Sequence, residues 1–162
     1  MGFDCYVKIT DIPGESEDSN HKQWIDTLAV SYGMHRPLET GGRVSGKTEF
    51  SPVVITKPVD ISSALLARAL FENTNIPKVK IEFCNTDSGQ KPYLVIELKN
   101  AKVADYNQVG NGKGSGATPM PVDTVVLSYG EISIVYTQLD HDTGQALGSN
   151  DVAFNVHSNL QT

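Results

Sequence analysis

The feature that most constrains this chain is a slip in phase. Val125, Leu127 and Tyr129 place apolar side chains on odd positions, whereas Ile132, Ile134 and Tyr136 place them on even ones. A period of two belongs to a strand with one buried face. A one-residue slip would turn every following side chain outward unless the backbone bulges. The slip falls at Gly130-Glu131, so a β-bulge is expected there, in a long strand that bends around a barrel or between two sheets.

The same alternation recurs along the chain. Val7 and Ile9 alternate with Lys8 and Thr10, which predicts a strand from Asp4 to Ile12, and Pro13 to Ser16 reads as a turn. Trp24 to Met34 predicts a second strand. Its large residues Trp24, Leu28, Val30, Tyr32 and Met34 are expected in the core. The opposite face, with Ile25, Thr27, Ala29, Ser31 and Gly33, is mostly small and leaves a smooth wall. Val53 to Lys57 is a short strand. Asp60 is placed to cap a helix reaching about Phe71, with Ile61, Leu65, Leu66 and Ala69 as its apolar stripe and Pro77 helping to stop it. Val79, Ile81 and Phe83 alternate with Lys80 and Glu82, and Leu94, Ile96 and Leu98 with Glu97 and Lys99. Pro37 to Glu49 and Gly110 to Gly116 are glycine-containing loops. One domain spanning residues 1–162 follows, mainly β: an antiparallel barrel or two packed sheets, flanked by one helix.

Composition narrows the function classes. With 39% hydrophobic and 20% charged residues the chain is a globular one. A formal net charge of -6 repels phosphate backbones, so nucleic acid is not an expected partner. No apolar run approaches the ~20 residues of a membrane helix, so no membrane insertion is expected. The beginning Met1-Gly2-Phe3-Asp4-Cys5 has no basic-then-apolar signal, and Tyr6 fills the slot where myristoylation needs Ser or Thr. Cys5 and Cys84 read as reduced thiols, with a disulfide left open.

The strongest enzymatic lead is Gly41 to Thr48, GGRVSGKT, which satisfies the P-loop spacing. A P-loop works only between a strand and a helix, whose N-terminus aims amides at phosphate. Here Pro37 precedes the segment and the β-like Glu49 to Ile55, with Pro52, follows it. The segment therefore reads as a surface loop without nucleotide. His21, His35, His141 and His157 form no close metal pair and read as solvated, and Asp140 to Gly144 lacks the later ligands of a calcium loop. Glu15, Glu17, Asp18 and Asp26 read as solvated turn charges, and Trp24 as a core anchor. No nucleophile elbow is present, and no catalytic, cofactor or metal residues are assigned.

A family resemblance bears on function. Tyr6-Val7-Lys8-Ile9, Gly14-Glu15-Ser16, Asp18, His21, Trp24-Ile25, Leu28, Ser31 and Gly33 resemble the hemolysin-coregulated protein (Hcp) family, the inner-tube proteins of type VI secretion. The likeness continues through Gly41 to Lys47, Lys57 to Phe71, the strand with Tyr136 and Gln138, and Phe154-Asn155. Phe154 stands where the family often has Trp, and Ile76 to Cys84 diverges more. The resemblance implies a β-barrel with a flanking helix and a homo-hexameric ring. Rings would stack into a tube expelled by a sheath, with spike and baseplate proteins as further partners and small effectors carried or chaperoned inside. It also implies synthesis in the cytoplasm and export without a signal peptide. Two surface roles are expected on that basis. Gly41, Gly42, Arg43, Val44, Ser45, Gly46 and Lys47 would reach across to the next ring, and Thr27, Ala29, Ser31 and Gly33 would line the lumen. The rival readings are a monomeric barrel that binds a small ligand and a nucleotide hydrolase using Gly41 to Thr48.

Overall fold

Residues 3–44, 46–112 and 120–162 are described in the computed structural model of the chain. In chain order the elements are β1 (Phe3–Ile9), β2 (Ile25–Thr27), β3 (Ala29–His35), β4 (Leu38–Glu39), β5 (Arg43–Val44), β6 (Glu49–Pro58), α1 (Ser62–Phe71), β7 (Ile76–Asn85), β8 (Lys91–Val109), β9 (Val122–Ser128), β10 (Glu131–Leu139), β11 (Ala146–Asn155) and β12 (Leu160–Gln161). One antiparallel sheet runs β12-β11-β10-β8-β7-β1-β2. The other runs β3-β6-β9-β8. The long β8 belongs to both, pairing β7 and β10 first and β9 from Lys102 onward. The sheets meet again where β2 passes into β3, and Leu28 N–H donates to the Thr56 carbonyl at 2.8 Å. The ladder does not close into a barrel; two packed sheets flanked by one helix describe it.

The phase slip at Gly130 is real, but its physical form differs from the expected bulge. Two strands meet there. Val125 and Leu127 enter the core from the second sheet, and Ile132 enters it from the first. Tyr129 and Gly130 make the corner between them, with Gly130 N–H on the Lys99 carbonyl at 2.9 Å. A second slip hides at Thr27-Leu28. Ile25 is buried, whereas Leu28, expected in the core, is 59% exposed, and Val30 and Tyr32 pack against the core. The expected single strand is therefore two, one in each sheet. Pro52 sits inside β6, where the register against β3 shifts between Ser31 and Gly33. A bulge tolerates the missing N–H there, and the Tyr129 hydroxyl donates to the Ser51 carbonyl at 2.7 Å.

Helix α1 buries Leu66 and Ala69 in the shared core. Asp60 Oδ1 accepts the Ser62 N–H at 2.9 Å, the capping role its sequence position implies. Ile61 lies outside the stripe and is exposed. The helix ends at left-handed Asn73 (φ 52°), and Pro77 lies within β7. Strand β11 is not legible as alternation, because it is exposed from Ala146 to Val152.

Two buried polar clusters correct the picture of solvated charges. His21 is 2% exposed. Its Nδ1 lies 2.6 Å from Asp18 Oδ2 and its Nε2 lies 2.7 Å from Glu82 Oε2. Its ring stacks on Tyr6 at 4.2 Å and meets Trp24 edge-on at 4.8 Å. The segment between β1 and β2 is thereby clasped to the outer side of the first sheet. Trp24, expected as a core anchor, is half-buried beside Lys8 and Lys80. The second cluster surrounds Lys57, whose Nζ is 2.9 Å from both Asp60 Oδ1 and Asp123 Oδ2. Ser63 also donates to Asp123, as does Gln108 at 2.8 Å. Cys5 faces the core and Cys84 faces His21; both are free thiols, and burial pushes each up to about 12.

Candidate assembly surfaces

The GGRVSGKT segment is the far side of a small hairpin. Leu38 pairs with Val44 and Glu39 with Arg43. Gly41 (φ 94°) and Gly42 (φ 80°) form the turn, a conformation that costs glycine least. The chain then enters β6, so the strand-to-helix context of a phosphate-binding loop is not met. Leu38 is 73% exposed and Val44 55%, an apolar cross-strand pair held out in solvent. Gly46 and Lys47 are exposed at the hairpin's return, and Ser45 lies outside the described residues. The base is fixed: Asn159 accepts the Thr48 N–H at 3.1 Å and donates to the Thr48 carbonyl at 2.7 Å, and Arg36 donates to the Thr48 hydroxyl at 3.2 Å.

Of the four small residues, Ala29, Ser31 and Gly33 share one side of β3, where Ala29 and Ser31 are exposed. Thr27 does not continue that side. It is half-buried on β2 in the other sheet, opposite core-facing Cys5. Across the second sheet Ala29 pairs with Thr56 and Ser31 with Val54, which in turn pair with Thr124 and Val126. The four β6 and β9 residues are half-exposed. The face is uncharged over this stretch of three strands, bounded by the exposed His35–Glu49 pair beyond Gly33 and by Asp105 on β8 beside Val126, and residue-by-residue reading missed it because its members are far apart in sequence.

Unpaired backbone supplies a third surface. Strand β12 covers only Phe154 and Asn155 of β11. The outer edge of β11 from Ala146 to Val152 carries no further strand among the described residues. Such an edge is a template for another chain's strand. Leu147, Val152 and Leu160 are exposed beside it. A groove nearby is lined by Phe3, Tyr93, Tyr136 and Leu139, with Phe3 and Tyr136 about half-exposed.

Residues 6–136 match the family described as type VI secretion system effector, Hcp. The chain belongs to the Hcp family. It is 30% identical to Protein hcp1 of Pseudomonas aeruginosa, over 99% of both sequences. Among solved structures, a type six secretion system protein superposes with a TM-score of 0.90 at 25% identity, covering 99% of this chain and all of its own. Hcp1 from Salmonella typhimurium superposes at 0.81 and 22%, covering all of both chains. Hcp proteins are secreted bacterial tube proteins of the type VI system, a structural family and not an enzyme family.

Proposed function

We propose that this chain is the tube-forming unit of a type VI secretion system, with no enzymatic activity of its own. Six copies close into a ring, and rings stack into the tube that a contractile sheath expels. The observation that carries this reading is the separation of three unlike surfaces on one Hcp fold. A ring needs a heterologous contact, in which one patch meets a different patch on the next copy. The unpaired β11 edge and its exposed Leu147 and Leu160 supply one side of such a contact. The hairpin with Gly41, Gly42, Arg43, Val44, Ser45, Gly46 and Lys47 reaches to the next ring. The uncharged face with Ala29, Ser31 and Gly33, and Thr27 at its margin, lines the lumen, where small effectors ride and are chaperoned. Spike and baseplate proteins meet the tube at its end. The chain is made in the cytoplasm and leaves through the system itself.

Negative-stain microscopy with light scattering of the purified chain tests this. Six-fold rings and a mass six times 17.5 kDa are expected. A single-protomer mass with a small molecule in the groove would instead support a monomeric ligand-binding barrel.

A further inference from the structure

His21, Glu82 and Cys84 meet beside Trp24. Their ligand atoms lie within 4.8 Å of one another, and all three residues are buried. We propose that these three side chains form a metal site for one zinc-type dication.

The spacing fits the chemistry. In a tetrahedral zinc centre with bonds of about 2.0–2.3 Å, a nitrogen and a sulfur ligand sit roughly 3.5 Å apart and a nitrogen and an oxygen roughly 3.3 Å. Cys84 Sγ is 3.6 Å from His21 Nε2, already at that span. Glu82 Oε2 is 2.7 Å from the same nitrogen and has to draw back by about half an ångström for bonds of that length. The other ring nitrogen donates to Asp18 at 2.6 Å. That carboxylate fixes the ring and makes the metal-facing nitrogen a better donor, the usual support for a metal-bound imidazole. Glu82 and Cys84 stand two residues apart on β7, so both project from one side of the sheet toward the segment carrying His21.

The ligand set also suits the charge of the ion. An imidazole, a carboxylate and a thiolate around a dication sum to zero, so the ligated centre buries no net charge, and ligation takes the proton from the Cys84 sulfur. Three protein ligands leave the fourth position to water or to the second Glu82 oxygen, which Lys80 holds at 2.9 Å in the metal-free arrangement. Bound metal ties the segment between β1 and β2 to β7.

The probe is cobalt(II), added to the full-length protein after chelator treatment and removal of the chelator. One equivalent is expected to give a near-ultraviolet thiolate-to-cobalt band, to release protons in weakly buffered solution, and to be displaced by zinc. Cys84→Ser removes the band while Cys5→Ser keeps it. Asp18→Asn weakens cobalt binding about 10–100-fold. Far-UV circular dichroism of each metal-free variant confirms folding. Should Cys84→Ser not fold, Glu82→Gln supplies the same test, with at least a tenfold loss of affinity expected. No band at millimolar cobalt overturns the site. So does a band that survives Cys84→Ser, one that disappears in Cys5→Ser, or an affinity unchanged in Glu82→Gln.

Discussion

Asn159 holds Thr48 by both of its backbone groups, accepting its N–H at 3.1 Å and donating to its carbonyl at 2.7 Å. One side chain thus does locally what a paired strand would do, and fastens the base of the 38–48 hairpin to the C-terminal segment. Asn159 itself is in the left-handed region (φ 59°), where Asn is among the better-tolerated residues. Two partly buried hydrogen bonds contribute about 1–2 kcal/mol together. Asn159→Ala should lower the unfolding free energy in urea by that amount and speed proteolysis within the hairpin. If the hairpin bridges rings, the variant should still form single rings by microscopy while stacks shorten. Deleting residues 41–47 should abolish stacking; stacks of normal length after that deletion would remove the hairpin from tube assembly.

The surroundings of Gly14 leave no room for a side chain. A Cβ there would lie 2.3 Å from the Trp24 carbonyl oxygen and 2.6 Å from Ile25 Cα. Both obstacles are backbone, so neither can rotate away. Gly14 also donates its N–H to the Gln23 carbonyl at 2.8 Å, and Ser16 donates to the Trp24 carbonyl at 2.9 Å. Gly14→Ala must push apart the two limbs that present His21 and lead into β2. A loss of more than about 2 kcal/mol is expected in denaturant unfolding, on the scale of steric core defects. A neutral Gly14→Ala would show that these limbs separate freely.

The Lys57 cluster gives a pH dependence with a definite sign. Burial raises the Asp123 carboxyl, but hydrogen bonds from Ser63, Lys57 and Gln108 outweigh it, and the group ends below the ordinary carboxylate range. A group depressed in the folded state contributes stability that is complete above its unfolded value, about 4, and is lost as pH falls through the folded one. Asp123→Asn leaves Lys57 buried with Asp60 as its remaining carboxylate, and should cost about 3–5 kcal/mol at pH 7. Urea unfolding at pH 7 and pH 3 should find the gap between wild type and variant narrowed at the lower pH. A gap independent of pH would mean that Asp123 does not titrate with folding.

What the sequence made legible was whatever repeats locally. The alternation in β1, β7, β8 and β9 and the stripe on α1 mark the buried positions because burial acts on each side chain separately. The slip at Gly130 was visible for the same reason, although alternation cannot tell a bulge from a corner between sheets. The slip at Leu28 was not, because Leu28, Val30, Tyr32 and Met34 keep an unbroken even phase while Trp24 and Ile25 leave the preceding phase ambiguous. His21 and Asp18 read as solvated, and nothing local marked Lys57 or Asp123, because each cluster is buried by a partner distant in the chain, His21 by Glu82 and Lys57 by Asp123. Strand β11 escaped because both its faces are exposed. The family resemblance reached the Hcp family, which periodicity could not, since alternation reports burial and not kinship.

The lumen assignment can be tested by the break at Leu28. Ser31 is exposed on the uncharged face, paired with Val54 and, beyond it, Val126. Thr27, four residues earlier, is half-buried opposite Cys5. The same enlargement should therefore act differently at the two positions. Ser31→Gln adds a longer polar side chain to the wall, with a stability change within about 0.5 kcal/mol as for other surface substitutions. Rings should form with unchanged diameter while co-purification of a small effector falls. Thr27→Gln meets the core side and should cost about 1–3 kcal/mol by overpacking, with effector retention following the fraction folded. Equal effector retention in wild type and Ser31→Gln would move cargo off the β3 face. A cargo defect in a fully stable Thr27→Gln would place the bore on the β2 side instead.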